Sequence, residues 1–298
     1  MSRTEPGTEA AAATLAEFLD AHPRIAVLTG AGVSTASGIP DYRDERGEWK
    51  HSRPVMFDDF RRDEAMRRRY WARSFIGWPR FSEAAPNAAH HALADLQRHV
   101  EITGLITQNV DRLHQRAGST RVIDLHGRLD RVVCLECRGS MRRDTLQSAL
   151  SERNPRFVAT ASRLRPDGDV ELDPSLYRRF EPIDCAACGG TIKPDVVFFG
   201  ESVPRERVTA AREALASADA LLVVGSSLMV FSGYRFARQA ASEGKPVVIL
   251  NHGRTRADDL AHLHLVSDCG PTLSASLEIL ATRTGANGGR EDQARSRL

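Results

Sequence analysis

The sequence predicts an α/β fold: a doubly wound parallel sheet interrupted by two insertions. Three observations carry that prediction. Short apolar runs of five or six residues recur along the chain, stretches with helical spacing lie between several of them, and two regions break the alternation. Strands buried on both faces read as continuous apolar runs, and strands separated by helices return in parallel.

Taken in order, residues 8–20 place apolar side chains at helical spacing and predict a helix that caps the fold. Residues 24–29 (RIAVLT) form a buried strand that breaks into GAG. The runs at 102–107, 121–125, 220–224, 246–250 and 262–266 read the same way, and 87–98 and 205–216 read as helices between them. The core therefore spans about 8–40, 87–130 and 190–282. Residues 41–86, rich in Arg, aromatic residues and Pro, are an inserted helical module. Residues 131–189 are a second small insertion carrying four cysteines. All of this is one domain of 298 residues, and the tail at 283–298, without apolar anchors, is expected to be disordered.

Composition excludes several classes. The net charge of +2 carries neither a nucleic-acid footprint nor a membrane-surface field. No apolar run reaches the roughly 18 residues of a membrane span. Glu5, Glu9, Glu17 and Asp20 argue against a secretory or transit leader, so a cytoplasmic location is expected. Four of the five cysteines form two CxxC pairs, Cys134/Cys137 and Cys185/Cys188, with 47 residues between the pairs. Such pairs read as metal ligands before disulfides. Four thiolates close a tetrahedron and leave no open position, which points to one structural zinc ion. Neither pair has the thioredoxin-like context that a redox reading needs. Cys269 stands alone.

The loop GAGVSTASGIPDYR (30–43) follows the first strand, where backbone N–H groups can cradle phosphate. It departs from the dinucleotide fingerprint GxGxxG, because Thr35 stands in place of the third glycine. By itself the pattern fits dinucleotide binding and a tight structural turn equally. The whole segment, however, resembles the NAD-binding signature of the sirtuin family. TQNVDRLHQRAG (107–118), LHG (125–127), KPDVVFFGE (193–201), VGSSLMV (224–230) and Asn251 resemble further motifs of that family, in its order, over residues 26–269. YWARSFIGWPRF, RPDGDV, SGYRF and the long spacing between the CxxC pairs resemble its class II, which includes the mitochondrial lipoamidase/deacylase-type sirtuin and bacterial relatives.

The resemblance implies a Rossmann-like core with an inserted zinc-binding module. It also implies an NAD-dependent protein-lysine deacylase that releases nicotinamide and O-acyl-ADP-ribose, with NAD as co-substrate and acyl-lysine proteins or peptides as partners. His126 would be the general base, its ordinary pKa of about 6.5 suiting proton transfer near neutrality. Asn109 and Asp111 would orient the nicotinamide ribose and carboxamide, with Gln108 nearby. Gly30, Ala31, Gly32, Ser37, Pro40, Asp41, Tyr42 and Arg43 would hold NAD from the first loop. Gly225, Ser226, Ser227, Asn251, Gly253 and Cys269 would hold it from the later ones. Most relatives have Phe where Tyr42 stands. Val197, Phe198, Phe199, Gly200 and Glu201 would dock the peptide.

Tyr70 and Arg73 share a helix face, at the spacing that in another sirtuin class recognises acidic acyl groups. The same spacing also arises on an arginine-rich helix surface. Residues 165–174 resemble a loop lining the acyl channel, which would favour branched or bulky chains. Three other functions are compatible with such a chain: a protein mono-ADP-ribosyltransferase, a non-enzymatic NAD or acyl-lysine sensor, and a conventional dehydrogenase. Intact His126, Asn109 and Asp111 argue against the sensor, and the departed fingerprint against the dehydrogenase.

Overall fold

Helix α1 (Thr8–Ala21) packs Leu15, Ala16 and Leu19 inward and delivers the chain to strand β1 (Arg24–Thr29), buried at every residue but the first. The computed structural model describes residues 7–44, 46–50, 54–158 and 165–295, with side chains as far as Arg283. After β1 come α2 (Phe57–Arg62), α3 (Glu64–Ser82) and α4 (Ala88–Leu96), then β2 (Glu101–Thr107), the short α5 (Leu113–Arg116) and β3 (Val122–Asp124). The cysteine-bearing region contributes β4 (Gly127–Cys134), β5 (Ser140–Arg142), α6 (Arg143–Arg153) and β6 (Ile192–Val196). The chain closes with α7 (Arg205–Ala216), β7 (Ala220–Val224), α8 (Phe231–Ser242), β8 (Val247–Leu250), β9 (Leu263–Leu265) and α9 (Cys269–Arg295).

Six parallel strands form the main sheet in the order β3-β2-β1-β7-β8-β9. The chain builds outward from β1 on one side, then crosses to β7 and builds outward on the other. That reversal makes β1/β7 the topological switch point, where open sheets of this kind form a crevice at their carboxyl ends. Successive side chains of a strand face opposite ways. Val27 and Leu222 accordingly join the cluster under α1, α4 and α9, while Leu28 and Val223 join the one under α7 and α8.

The expected insertion has a fold that the sequence did not disclose. β5, β4 and β6 form an antiparallel three-stranded sheet, and the strands that frame the cysteines begin at Gly127 and end at Val196. A third cluster, including Tyr70, Trp71, Trp78, Leu146 and Phe198, joins this sheet to α3 and α6. The Arg143 guanidinium, 1% exposed, lies 5.5 Å from the Trp71 ring and 5.3 Å from that of Trp78. Asp63 starts α3 by accepting from Ala65 N at 2.8 Å, a side-chain cap of the usual kind.

α9 runs on to Arg295, through the segment expected to be disordered. Its early turns are anchored by Leu273 and Leu280, and once nucleated a helix gains one hydrogen bond per residue fixed. Among the described residues no helix is long and apolar enough to cross a membrane.

Candidate functional site

A cavity of about 1320 Å³ opens over the carboxyl ends of β1, β2 and β7 and extends beneath the segment after β6. Its floor is backbone against backbone. Gly32 N donates to Gly225 O at 2.9 Å, and a Cβ on Gly32 would stand 2.9 Å from that same oxygen. Gly225 has φ +59, and a Cβ there would lie 2.5 Å from Val33 N. Only glycine permits this approach, so the loops after β1 and β7 are stitched together without side chains.

A polar web ties the loop after β1 to the one after β2. Asn109 Nδ2 donates to Gly30 O at 3.0 Å and to Ser34 Oγ at 2.9 Å. Ser34 in turn donates to Asp111 Oδ2 at 2.7 Å, and Asp111 Oδ1 accepts from Leu113 N at 2.9 Å. Burial raises the Asp111 carboxyl, against the lowering effect of these hydrogen bonds. Gln108 Nε2 reaches Ser226 Oγ at 2.7 Å. Ser34 bridges two of the expected catalytic residues. The sequence showed it only as one serine of the loop motif.

His126 sits between β3 and β4, with its carbonyl accepting from Val197 N at 2.8 Å. Its Nδ1 is 3.0 Å from Gln108 O, so Nδ1 carries the proton and donates. That leaves the Nε2 lone pair facing Ser232 Oγ at 2.7 Å. Burial pushes the imidazole down to about 4, well below the value near neutrality expected from the sequence. Ser232, the only described hydrogen-bond partner of Nε2, was not identified as a site residue, because no spacing links it to His126.

The cavity wall takes in most of the remaining expected residues. Asp41 pairs with Lys50 at 2.6 Å, the Tyr42 ring meets Trp49 and Phe199 edge-on, and Arg43 lies 4.0 Å over Trp49. Ala31, Ser227, Asn251, Gly253 and Cys269 line it as well, and Asn251 Nδ2 donates to Gly253 O at 2.9 Å. Burial pushes the Cys269 thiol up to about 12, which disfavours its thiolate. Ser37 and Pro40 do not line the cavity. Ser37 Oγ instead accepts from Asn87, whose own side-chain oxygen caps α4.

Val197, Phe198, Phe199, Gly200 and Glu201 edge the cavity after β6. Glu201 folds this segment back by accepting from Phe198 N at 2.9 Å and from buried Lys193 at 3.0 Å. Tyr70 lines the cavity, but Arg73 does not, which corrects both readings of that residue. Arg73 is 3% exposed, so it is not a surface residue. Its guanidinium turns to Asp169 Oδ1 at 2.8 Å and Val170 O at 2.7 Å.

Away from the cavity, the four cysteine sulfurs all lie within 4.8 Å of one another. The pairs Cys134/Cys188 and Cys137/Cys185 stand at 3.5 and 3.7 Å. Sulfurs about 2.3 Å from a tetrahedral zinc lie about 3.8 Å apart, so the donor set fits that ion. Backbone N–H groups of Ala187 and Cys188 lower the Cys185 thiol, whereas burial raises that of Cys134.

The Sir2 family model matches residues 30–232. The chain is 54% identical over 261 residues to an NAD-dependent protein deacetylase of Xanthomonas axonopodis pv. citri (strain 306), covering 88% of this chain and 89% of that one. It is 50% identical to NAD-dependent protein deacetylase 1 of Streptomyces coelicolor (strain ATCC BAA-471 / A3(2) / M145), covering 88% and 87%. Among solved structures, one described as "Sir2-p53 peptide-NAD+" superposes with a TM-score of 0.71 at 31% identity, covering 89% of this chain and 96% of that one.

Proposed function

Since the chain belongs to the Sir2 family, we propose that it is an NAD-dependent protein-lysine deacylase. It releases nicotinamide and O-acyl-ADP-ribose from NAD and an acyl-lysine protein or peptide. The observation that carries this reading is the state of His126: Nδ1–H is committed to the Gln108 carbonyl, and the Nε2 lone pair is left to accept a proton.

NAD, as co-substrate, supplies a ribose carbon from which nicotinamide can leave. Gly30, Ala31 and Gly32, with Gly225, Ser226 and Ser227, hold its phosphates. Asn251, Gly253 and Cys269 hold its adenosine half, and Asn109 and Asp111 hold the nicotinamide ribose and carboxamide. His126 Nε2 takes the proton of a ribose hydroxyl, which displaces Ser232 from its hydrogen bond. The negative phosphates raise the imidazole from its value in the empty cleft toward the working pH, where a general base is most effective. Tyr42, Trp49 and Phe199 form an aromatic wall that keeps water from the cleaved centre. Residues 193–201 dock the peptide. Cys134, Cys137, Cys185 and Cys188 hold one structural zinc ion and take no part in the chemistry. The α3 and 165–170 sequences support assignment to class II, and the enzyme works in the cytoplasm.

The test is the product inventory from NAD and an acetyl-lysine peptide, weighed by mass spectrometry. Nicotinamide, unmodified lysine peptide and O-acetyl-ADP-ribose are expected in equal amounts. ADP-ribose retained on protein, with the acetyl group still on the peptide, would establish a transferase instead.

A further inference from the structure

One wall of the cavity is apolar and begins beside His126, whose carbonyl accepts from Val197 N. Ile39, Leu129, Val196 and Phe198 line it and belong to a single hydrophobic cluster that also contains Tyr70. Two polar side chains interrupt this wall, Tyr70 and Asp167, and both line the cavity. Tyr70 is 2% exposed, and its hydroxyl has no hydrogen-bond partner among the described residues. Burial holds the Tyr70 hydroxyl well above its ordinary pKa, Asp167 and Asp169 add to that rise, and Ser74, one turn along, opposes it. Asp167 Oδ1 is shut off from solvent and also has no partner there.

These orphans are held in place. The loop that carries Asp167 is closed by Gly168 N to Arg165 O at 3.0 Å and Arg165 N to Asp169 O at 2.8 Å. It lies directly on α3, where a Cβ on Gly77 would come within 2.3 Å of Gly168 O. Arg73 clamps it through Asp169 and Val170. Three nearby arginines have partners of their own: Arg73 pairs with Asp169, Arg165 with Glu171 and Asp169, and Arg143 reaches Ser74 between two Trp rings. None of these three arginines lines the cavity, whereas Asp167 does. A buried acceptor and a buried donor–acceptor without partners are costly, and a ligand that satisfies both recovers that cost.

We propose that this wall selects uncharged acyl chains that carry a hydroxyl. The hydroxyl donates to Asp167 Oδ1 and accepts from the Tyr70 hydroxyl, while a chain ending in a carboxylate sets its charge against Asp167. The proposal rests on the deacylase reading and reverses the acidic-acyl preference that the Tyr70–Arg73 spacing implied.

Four-carbon acyl groups on one lysine peptide isolate the effect: butyryl, 3-hydroxybutyryl, 4-hydroxybutyryl and succinyl, with acetyl as reference. For the wild type, kcat/KM should be highest for one of the hydroxybutyryl peptides and lowest for succinyl. Asp167→Ala should lower the ratio of the better hydroxybutyryl substrate to butyryl by roughly 10- to 100-fold. Tyr70→Phe should lower it less, and Asp167→Asn should raise succinyl relative to butyryl. Ratios within about twofold of wild type in both Asp167→Ala and Tyr70→Phe would overturn the proposal, as would a wild-type preference for succinyl. If no peptide is deacylated, acetyl included, the deacylase reading falls with it. If acetyl is removed and the ratios stay flat, only the hydroxyl preference falls.

Discussion

The cleft over β1 and β7 and the wall formed by α3 with residues 165–170 belong to one cavity but are built by opposite means. In the cleft, close contact is made by backbone: Gly32 against Gly225, Asn109 against the Gly30 carbonyl, His126 Nδ1 against the Gln108 carbonyl. In the wall, it is made by buried charged side chains far apart in sequence, with Arg73 on Asp169 and Val170 and Arg143 on Ser74. Backbone contact tolerates few residue types and so writes a local motif. A buried ion pair depends on two distant residues at once, and its loss leaves an uncompensated charge. The cleft should therefore fail in chemistry when altered, and the wall in stability.

The largest expected effect lies on the wall's side of the molecule, in the cysteine cluster under β4 and β6. Structural zinc binding contributes about 10–16 kcal/mol in small metal-dependent folds. Chelation, or Cys185→Ser, should unfold the β4–β5–β6 sheet and abolish activity, and metal analysis should find one zinc per chain. A metal-free protein with full thermal stability and activity would remove zinc from the structure.

Next is Arg73→Met. Asp169 would be left buried, its carboxyl already pushed up by burial and by Asp167 and restrained by Arg73 and Arg165. Breaking such a pair costs about 3–5 kcal/mol, and pairing the change with Asp169→Leu should recover much of it. Urea unfolding of the single and double variants measures this. If Arg73→Met is neutral, the wall is not held by that ion pair.

The smallest effect separates the regions by pH. On the cleft's side, burial lowers His90, His114 and His126 to about 4, about 3 and about 4 from an ordinary 6.5. As pH falls, the unfolded chain protonates each near 6.5, while the folded chain resists until the lower value. Between these values the unfolded state binds more protons, so these groups weaken the fold as pH drops from 7 toward 4. Raised Asp111 and Asp169 oppose this, so His114 is best isolated by comparison with His114→Gln. Between pH 7 and 5 the wild type should lose about 2 kcal/mol relative to that variant. A constant difference across that range would mean that His114 titrates normally.

What could be read in advance follows the same division. β1 and β7 occupy the apolar runs that predicted them, because burial on both faces leaves no room for polar residues, and α7 spans the stretch read as a helix, with Ala211, Ala214 and Leu215 on its buried side. β4 was hidden because Arg131 faces Asp195 on an exposed side, which breaks the apolar run into a mixed string. Arg73 was misread because its partner lies 96 residues away, beyond any periodicity. Ser34 stood only as one serine of the loop motif, where a serine marks a turn as readily as a site, and Ser232, at the start of α8, meets His126 across 106 residues that no spacing rule connects.

The most direct measurement is on His126→Ala, assayed in parallel for NAD binding by calorimetry and for turnover of an acetyl-lysine peptide. Loss of the general base should lower turnover by roughly 100- to 10,000-fold, with NAD affinity changed by no more than a few-fold. Near-wild-type turnover, or an equal collapse of binding and turnover, would contradict a cleft whose chemistry runs through the Nε2 lone pair of His126.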